Sequence, residues 1–244
     1  MPLIYDCPMA STFAGVTSLQ AAGVSGTGNA LPNGIADSLY IANGWMVSHL
    51  RDTDTQVGLG QRCEITGPDD FVGDERWYAW DMMIPSGWPA NGRQFSVMQI
   101  HDSPDNGDPA RAPNFNVLYD GRSILGVVPA IQPPTQDIRQ RAIGGAYISR
   151  DTPHRCALHV NWSKTGTGIL DFYIDQQPIA RKIDIGTAYD DVGGQYFKLG
   201  IYDYSHAGSF GERTAYFRNV KIWSGNPGHV QVLGGSPVNR SKIF

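Results

Sequence analysis

Three short segments of this 244-residue chain carry polar side chains at alternate positions. In chain order these side chains are Arg62, Glu64, Gln99, His101, Lys198 and Tyr202. Alternate residues of a β-strand point to the same face, so each segment predicts a strand with one polar face and one apolar face. Such strands, side by side, would form a sheet that packs on a core and presents the polar groups to water.

These residue types suit β-elimination on a uronic acid polymer. The reaction removes the proton next to a sugar carboxylate and expels the glycosidic oxygen from the neighbouring carbon. The carbanion adds a second negative charge, so the enzyme must neutralise the carboxylate, and Arg62 and Gln99 can donate to it. His101 and Tyr202 are the candidate base and acid. Lys198 could bind the anionic chain or lower the pKa of Tyr202.

Further candidates lie on these segments, directly after the third one, and on the predicted strand 114–119. Glu64, Tyr204 and Asn116 are expected to contact the substrate, and Gly200 is expected to leave space for a sugar ring. Taken singly, each residue has an ordinary structural interpretation. Arg62 and Glu64 could form a cross-strand ion pair on a solvated sheet, which contributes little stability, and a lone histidine is often structural.

The three segments Arg62–Glu64, Gln99–His101 and Tyr196–Tyr202 resemble signature strands of jelly-roll alginate lyases. In that family they read Arg-Ser/Thr-Glu, Gln-Ile/Val-His and Tyr-Phe-Lys-x-Gly-x-Tyr, in the same order. Other stretches resemble the heparin lyase I and glucuronan lyase relatives of that fold. They are residues 73–80, 84–89 and 159–163. Because this sequence combines motifs of two subfamilies, the resemblance does not imply which polymer is the substrate.

The resemblance implies a β-sandwich of two antiparallel sheets in a jelly roll, with a concave substrate groove. It also implies that Arg62 and Gln99 hold the uronate carboxylate. His101 and Tyr202 would carry the proton transfers, with Tyr202 as the acid and a candidate base. Cys63 stands where the family has Ser or Thr, at a position that faces the core.

The remaining sequence favours a single all-β domain over residues 1–244, with peripheral arms at 1–35 and 224–244. The 29 Gly and 16 Pro residues punctuate short apolar runs, which is typical of many strands joined by turns. No stretch has helical periodicity over three turns. The strand candidates are 38–42, 45–50, 57–65, 76–84, 94–101, 114–119, 154–162, 169–174, 196–202 and 215–223. Most tryptophans are expected in the core.

Composition narrows the function classes. The net charge of −4 gives no broad basic surface for nucleic acid, and no apolar run is long enough to span a membrane. The expected partner is an anionic polysaccharide. Residues 1–15 do not read as a signal peptide, so we expect an extracellular or virion-associated protein whose leader was removed or which is exported by another route.

The sequence gives only weak evidence for a disulfide bond or a metal site. Three cysteines argue against a disulfide framework but allow one bridge. No cofactor is expected, although Asp102–Asp108 is rich in oxygen ligands that calcium could use. A turn explains that segment equally well. Residues 161–163 match a glycosylation acceptor, but a strand explains them better.

Two other functions remain open. A non-catalytic carbohydrate-binding domain, or a phage tail or capsid domain, could keep the jelly roll without chemistry. A sandwich-type glycoside hydrolase would need two carboxylates about 5–9 Å apart. The sequence contains no strand of the form Glu-x-Asp-x-Glu to supply them.

Overall fold

The computed structural model describes residues 1–9, 11–22, 24–26, 37–108, 111–129, 140–205 and 208–234. In these residues the chain is almost entirely β. The strands of its first half are β1 Leu3–Cys7, β2 Ser18–Ala21, β3 Val24–Gly26, β4 Leu39–Ala42, β5 Trp45–Arg51, β6 Gln61–Asp70, β7 Glu75–Met83, β8 Phe95–Asp102 and β9 Phe115–Tyr119. Those of its second half are β10 Ser123–Pro129, β11 Gln140–Tyr147, β12 His154–Asn161, β13 Gly168–Ile174, β14 Gln177–Ile185, β15 Gln195–Asp203 and β16 Glu212–Ser224, followed by the short helix α1 His229–Leu233.

The strands form two eight-stranded antiparallel sheets, as the resemblance implied. One sheet, here called the outer sheet, runs β14-β13-β12-β7-β16-β5-β4, with β1 also paired to β16. The other, here called the site sheet, runs β11-β10-β9-β8-β15-β6-β2-β3. Neighbours in each sheet are often far apart in sequence, which is the crossover pattern expected of a jelly roll.

The core lies between the two sheets and follows from the alternation of the strands. On β15, Phe197, Leu199 and Ile201 are fully buried in the core, as predicted. Trp80 of the outer sheet packs on Phe197, with ring centroids 6.3 Å apart. The prediction of core tryptophans is confirmed, since Trp77, Trp80, Trp88 and Trp162 are all buried. The three cysteines are buried and free.

Each of the ten predicted strands overlaps an observed one, but β1, β2, β3, β10, β11 and β14 were not predicted. Two of them carry sequence features that normally argue against strands. Pro178 lies in β14, and Gly144 and Gly145 lie in β11. A Cβ on Gly144 would lie 2.0 Å from the main-chain oxygen of Ile179 in β14, so this glycine allows edge strands of the two sheets to meet.

The predicted arms need revision where the structure describes them. In the expected N-terminal arm, β1 joins the outer sheet and β2 joins the site sheet through β6. Phe13, Val16 and Leu19 are buried in the core. These residues are part of the sandwich because their apolar side chains complete its interior. At the other end, β16 runs to Ser224 and α1 packs Val232 and Leu233 against Trp223.

Candidate active site

Seven of the eight predicted site residues come from four adjacent strands of the site sheet, in the order β9, β8, β15 and β6, and Tyr204 directly follows β15. Gln99 on β8 is opposite Asn116 on β9 and Lys198 on β15. Tyr202 on β15 is opposite Arg62 on β6. The antiparallel register therefore brings residues up to 140 positions apart onto one face.

A cavity of about 470 Å³ opens on this face, away from the core. Its walls include six of the eight predicted site residues, and the other lining residues come from nearby loops. The predicted ones are Arg62, Gln99, His101, Asn116, Tyr202 and Tyr204. The others are Leu59, Pro104, Arg111, Ala112 and Pro113.

Glu64 and Lys198 lie beneath the cavity floor instead of in its wall. Glu64 is fully buried and Lys198 is 1% exposed. The Lys198 ammonium lies 2.9 Å from Oε2 of Glu64. The expectation that both contact the substrate, and that the polar face is open to water, does not match these positions. The positive charge of Lys198 and the negative charge of Glu64 neutralise each other beneath the cavity.

The Glu64 carboxylate organises two cavity residues. Gln99 donates from Nε2 to Oε1 of Glu64 at 2.6 Å, and Nη1 of Arg62 lies 3.7 Å from Oε2. Burial would raise the pKa of Glu64, but Lys198, Arg62 and the hydrogen bonds hold it below its usual value. Because the ionised carboxylate only accepts hydrogen bonds, it fixes the amide nitrogen of Gln99 toward itself.

Tyr202 lies under the guanidinium of Arg62, whose Cζ is 4.1 Å from the centre of the ring. Burial raises the pKa of Tyr202, and the nearby Arg62 opposes this only in part. The predicted lowering of this pKa by Lys198 is therefore not found, because the Lys198 charge is paired with Glu64. The phenol is protonated at neutral pH and can donate its proton.

His101 presents an imidazole to the cavity with one nitrogen already engaged. Its Nδ1 lies 2.9 Å from the main-chain oxygen of Asp102. A carbonyl oxygen is an acceptor, so Nδ1 must carry the proton in the neutral ring. The neutral Nε2 then keeps its lone pair and can accept a proton from a bound molecule.

Gly200 does not serve the purpose expected of it. Its φ is +142°, and a Cβ there would lie 2.1 Å from the main-chain oxygen of Cys63. The glycine lets β15 approach β6 closely between Lys198 and Tyr202. Nearby, Ser48 of the outer sheet donates to the oxygen of Cys63 and accepts from the nitrogen of Ile201.

The acidic segment after β8 forms a cluster with a guanidinium inside it. Carboxylate oxygens of Asp105, Asp108 and Asp191 lie within 4.8 Å of one another. Arg111 pairs with Asp108 and lies 2.8 Å from Oδ1 of Asp191. The guanidinium of Arg111 thus shares two of the carboxylates that a calcium ion could use.

Leu59, Arg111 and Asp102 are not among the site residues predicted from the sequence. Leu59 and Arg111 lie in loops, where alternation gives no guide. Asp102 has a usable signal: it continues the alternation of Met98 and Ile100, which are both core residues. A carboxylate at a core-facing position is rarely left without a role.

Comparisons with known proteins agree with this architecture. No curated protein sequence matches the chain. An endo-β-1,4-glucuronan lyase from the fungus Trichoderma reesei superposes with a TM-score of 0.69 at 14% identity, over 91% of this chain and 95% of that one. A family 7 alginate lyase in complex with substrate gives 0.68 at 14% identity, over 91% and 98% of the two chains.

An alginate lyase from Pseudomonas aeruginosa gives a TM-score of 0.64 at 16% identity, over 86% of this chain and 99% of that one. At such identities the structures establish the shared jelly-roll fold. The sequence model of the family described as polysaccharide lyase matches residues 43–221, which include all eight predicted site residues. This chain belongs to the polysaccharide lyase family.

Proposed function

We propose that this polysaccharide lyase cleaves a uronic acid polymer by β-elimination in the cavity of the site sheet, with His101 as base and Tyr202 as acid. The observation that carries the assignment is that both side chains line one cavity, with Nδ1 of His101 engaged by the main-chain oxygen of Asp102 and the phenol of Tyr202 protonated because burial raises its pKa. In the neutral imidazole, Nε2 is then the nitrogen that can accept a proton.

The carboxylate of the sugar is neutralised by Arg62 and Gln99. Arg62 has a fixed charge and a planar set of donors that matches a carboxylate. Gln99 gives one amide hydrogen to Glu64 and keeps a second for the substrate. These donors stabilise the dianionic intermediate most strongly, since the negative charge grows as the proton leaves.

The proton transfers balance in one turnover. The proton on the carbon next to the carboxylate moves to Nε2 of His101, and its electron pair forms the new carbon–carbon double bond. The bond from the neighbouring carbon to the glycosidic oxygen breaks, and that oxygen takes the phenolic proton of Tyr202. Exchange with water then returns a proton to Tyr202 and removes one from His101.

The substrate class and the place of action follow from this chemistry. The reaction requires a carboxylate on the sugar, so the partner is an anionic polysaccharide. No helix in the described ranges is long and apolar enough to cross a membrane. Because polymers of this kind are found outside the cytoplasm, we place the protein outside the cell or on a virion. A step through calcium is not needed, since Arg62 supplies the positive charge.

The deciding experiment compares the wild type with Tyr202→Phe on alginate, glucuronan, heparin-like and bacterial capsular polysaccharides, following ultraviolet absorbance of the unsaturated product. We expect the wild type to cleave at least one, and Tyr202→Phe to lower kcat by about 10²- to 10⁴-fold with the fold intact. Phe keeps the ring under Arg62 but removes the transferable proton.

Tyr204→Phe is the matched control. Tyr204 also lines the cavity, and its hydroxyl donates to Oε1 of Gln94 at 3.1 Å. We expect kcat of this variant to stay within several-fold of the wild type. Equal losses in the two variants, or full activity of Tyr202→Phe, would contradict the assignment. A wild type that binds uronate polymers without cleaving any would favour a non-catalytic binding domain.

A further inference from the structure

A buried carboxylate lies directly behind the candidate base. The side chain of Asp102 is 1% exposed, and its Oδ1 lies 3.0 Å from Nδ1 of His101. Neither of its carboxylate oxygens accepts a hydrogen bond from another described residue. A buried charge without a full set of donors is costly, so this arrangement needs an explanation beyond packing.

The positive charge near Asp102 is that of Arg111, which two other carboxylates also share. Nε of Arg111 lies 3.9 Å from Oδ2 of Asp102, while the same guanidinium pairs with Asp108 and Asp191. Three carboxylates thus surround one cation. Burial raises the pKa of Asp191 to about 6, and repulsion from Asp102 adds to this rise. The attraction of Arg111 opposes it only in part. The loops behind His101 therefore carry surplus negative charge at neutral pH.

The other groups around His101 do not remove this surplus. The ring of Tyr196, from β15, lies 6.0 Å from the imidazole between centroids and is uncharged at neutral pH, since burial raises its pKa. Arg62 and Tyr202 line the far side of the same cavity. The carboxylate of Asp102 is the charged group in contact with Nδ1.

We propose that Asp102 is a positioning residue that prepares His101 to receive a proton. This rests on the proposed function of His101 as the base. The main-chain oxygen of Asp102 keeps the proton on Nδ1, and the side-chain carboxylate compensates the positive charge that appears when Nε2 takes the sugar proton. In the resting enzyme the negative charge of Asp102 is balanced only in part by the shared Arg111. The positive charge of the His101 imidazolium would balance the rest.

The test replaces Asp102 by Asn, which keeps its shape and removes its charge. The imidazole of His101, followed by NMR with labelled histidine and assigned with His101→Gln, should then lose its proton about 1–2 pH units lower than in the wild type. On the cleaved polymer, kcat should fall about 10- to 100-fold, KM should change little, and the acidic limb of the rate profile should move to lower pH.

Asp191→Asn is the matched control. It removes another buried carboxylate of the same Arg111 but makes no contact with His101. We expect it to leave the imidazole titration and kcat near wild type. If Asp102→Asn does not fold, Asp102→Ser, which is smaller and admits water beside Arg111, takes its place.

Three results would overturn the proposal: an unchanged imidazole titration in Asp102→Asn, an equal shift in Asp191→Asn, or a loss of activity that appears wholly in KM. The NMR measurement needs no substrate. It therefore decides whether Asp102 and His101 are coupled even if the wild type cleaves no uronate polymer, an outcome that would contradict the proposed function alone.

Discussion

Glu64 shows how one buried residue can order several functional ones. It contacts the amide of Gln99 and the ammonium of Lys198, and lies beside the guanidinium of Arg62. Two of these residues are the proposed carboxylate binders. The negative charge under the cavity floor holds Nε2 of Gln99 toward Glu64 and so fixes the orientation of this amide.

Removing this charge should destabilise the protein. In Glu64→Gln, the ammonium of Lys198 would stay buried without a counter-charge, so we expect a loss of about 3–5 kcal/mol in the free energy of unfolding. Urea denaturation measures it. The double variant Glu64→Gln/Lys198→Met removes both charges and should recover most of that loss. A single variant within about 1 kcal/mol of wild type would contradict the buried pair.

At the scale of elements, the turn between β13 and β14 is held by a charged contact to the start of β12. Nδ1 of His154 lies 2.6 Å from Oδ2 of Asp175, and Nε2 lies 2.9 Å from the main-chain oxygen of Ser149. Both ring nitrogens therefore face acceptors, which favours the protonated ring. The hydrogen bond to Asp175 raises the pKa of His154 despite burial.

This contact should make stability depend on pH. A raised histidine pKa contributes stability that is full below about pH 6.5 and is lost as pH rises through the folded value. The pKa of Asp175, which burial would raise, is lowered by the bond from His154, so its share is lost only as pH falls below its ordinary range. His154→Gln should therefore cost more at pH 5.5 than at pH 9.

The expected difference is small because Asp175 is half exposed. We expect at most about 1 kcal/mol, which corresponds to roughly 2–4 °C in Tm for a domain of this size. Thermal unfolding of both proteins between pH 5 and 9 measures it. Asp175→Asn should remove the same pH dependence, and a difference in Tm that does not change with pH would refute the pairing.

At the scale of the whole molecule, the two faces of the site sheet have different functions. One face packs on the outer sheet through a continuous apolar core, and the other holds the cavity above a layer of buried charges. The core holds β6, β8, β9 and β15 against the outer sheet and so fixes the positions of the cavity residues that these strands carry. Arg62 is the main cation that such a cavity offers to an anionic chain.

Binding of the polymer should therefore weaken with salt. Measured with Tyr202→Phe so that no cleavage occurs, the affinity for the uronate polymer that the wild type cleaves should fall several-fold between low and high sodium chloride, because ions screen partly exposed charges over about 8–10 Å. A neutral glucan should not compete. Affinity that is equal for both polymers and independent of salt would argue against recognition of a carboxylate.

Much of the core of this protein could be predicted from the alternation of apolar and polar residues along single strands. The apolar side chains between Arg62 and Glu64, between Gln99 and His101, and along β15 predicted which residues enter the core. The family resemblance then ordered those strands into a jelly roll. These features depend on local periodicity and composition, which the sequence contains in full.

The tertiary structure alone decided how deep each polar side chain lies and which partners it meets. Lys198 and Tyr202 share a strand face, yet one is buried against Glu64 and the other lines the cavity. Gly200 meets the backbone of β6, and Arg111 meets Asp191 from a distant part of the chain. Burial and charge pairing arise from contacts between strands and loops far apart in sequence, so no local pattern could specify them.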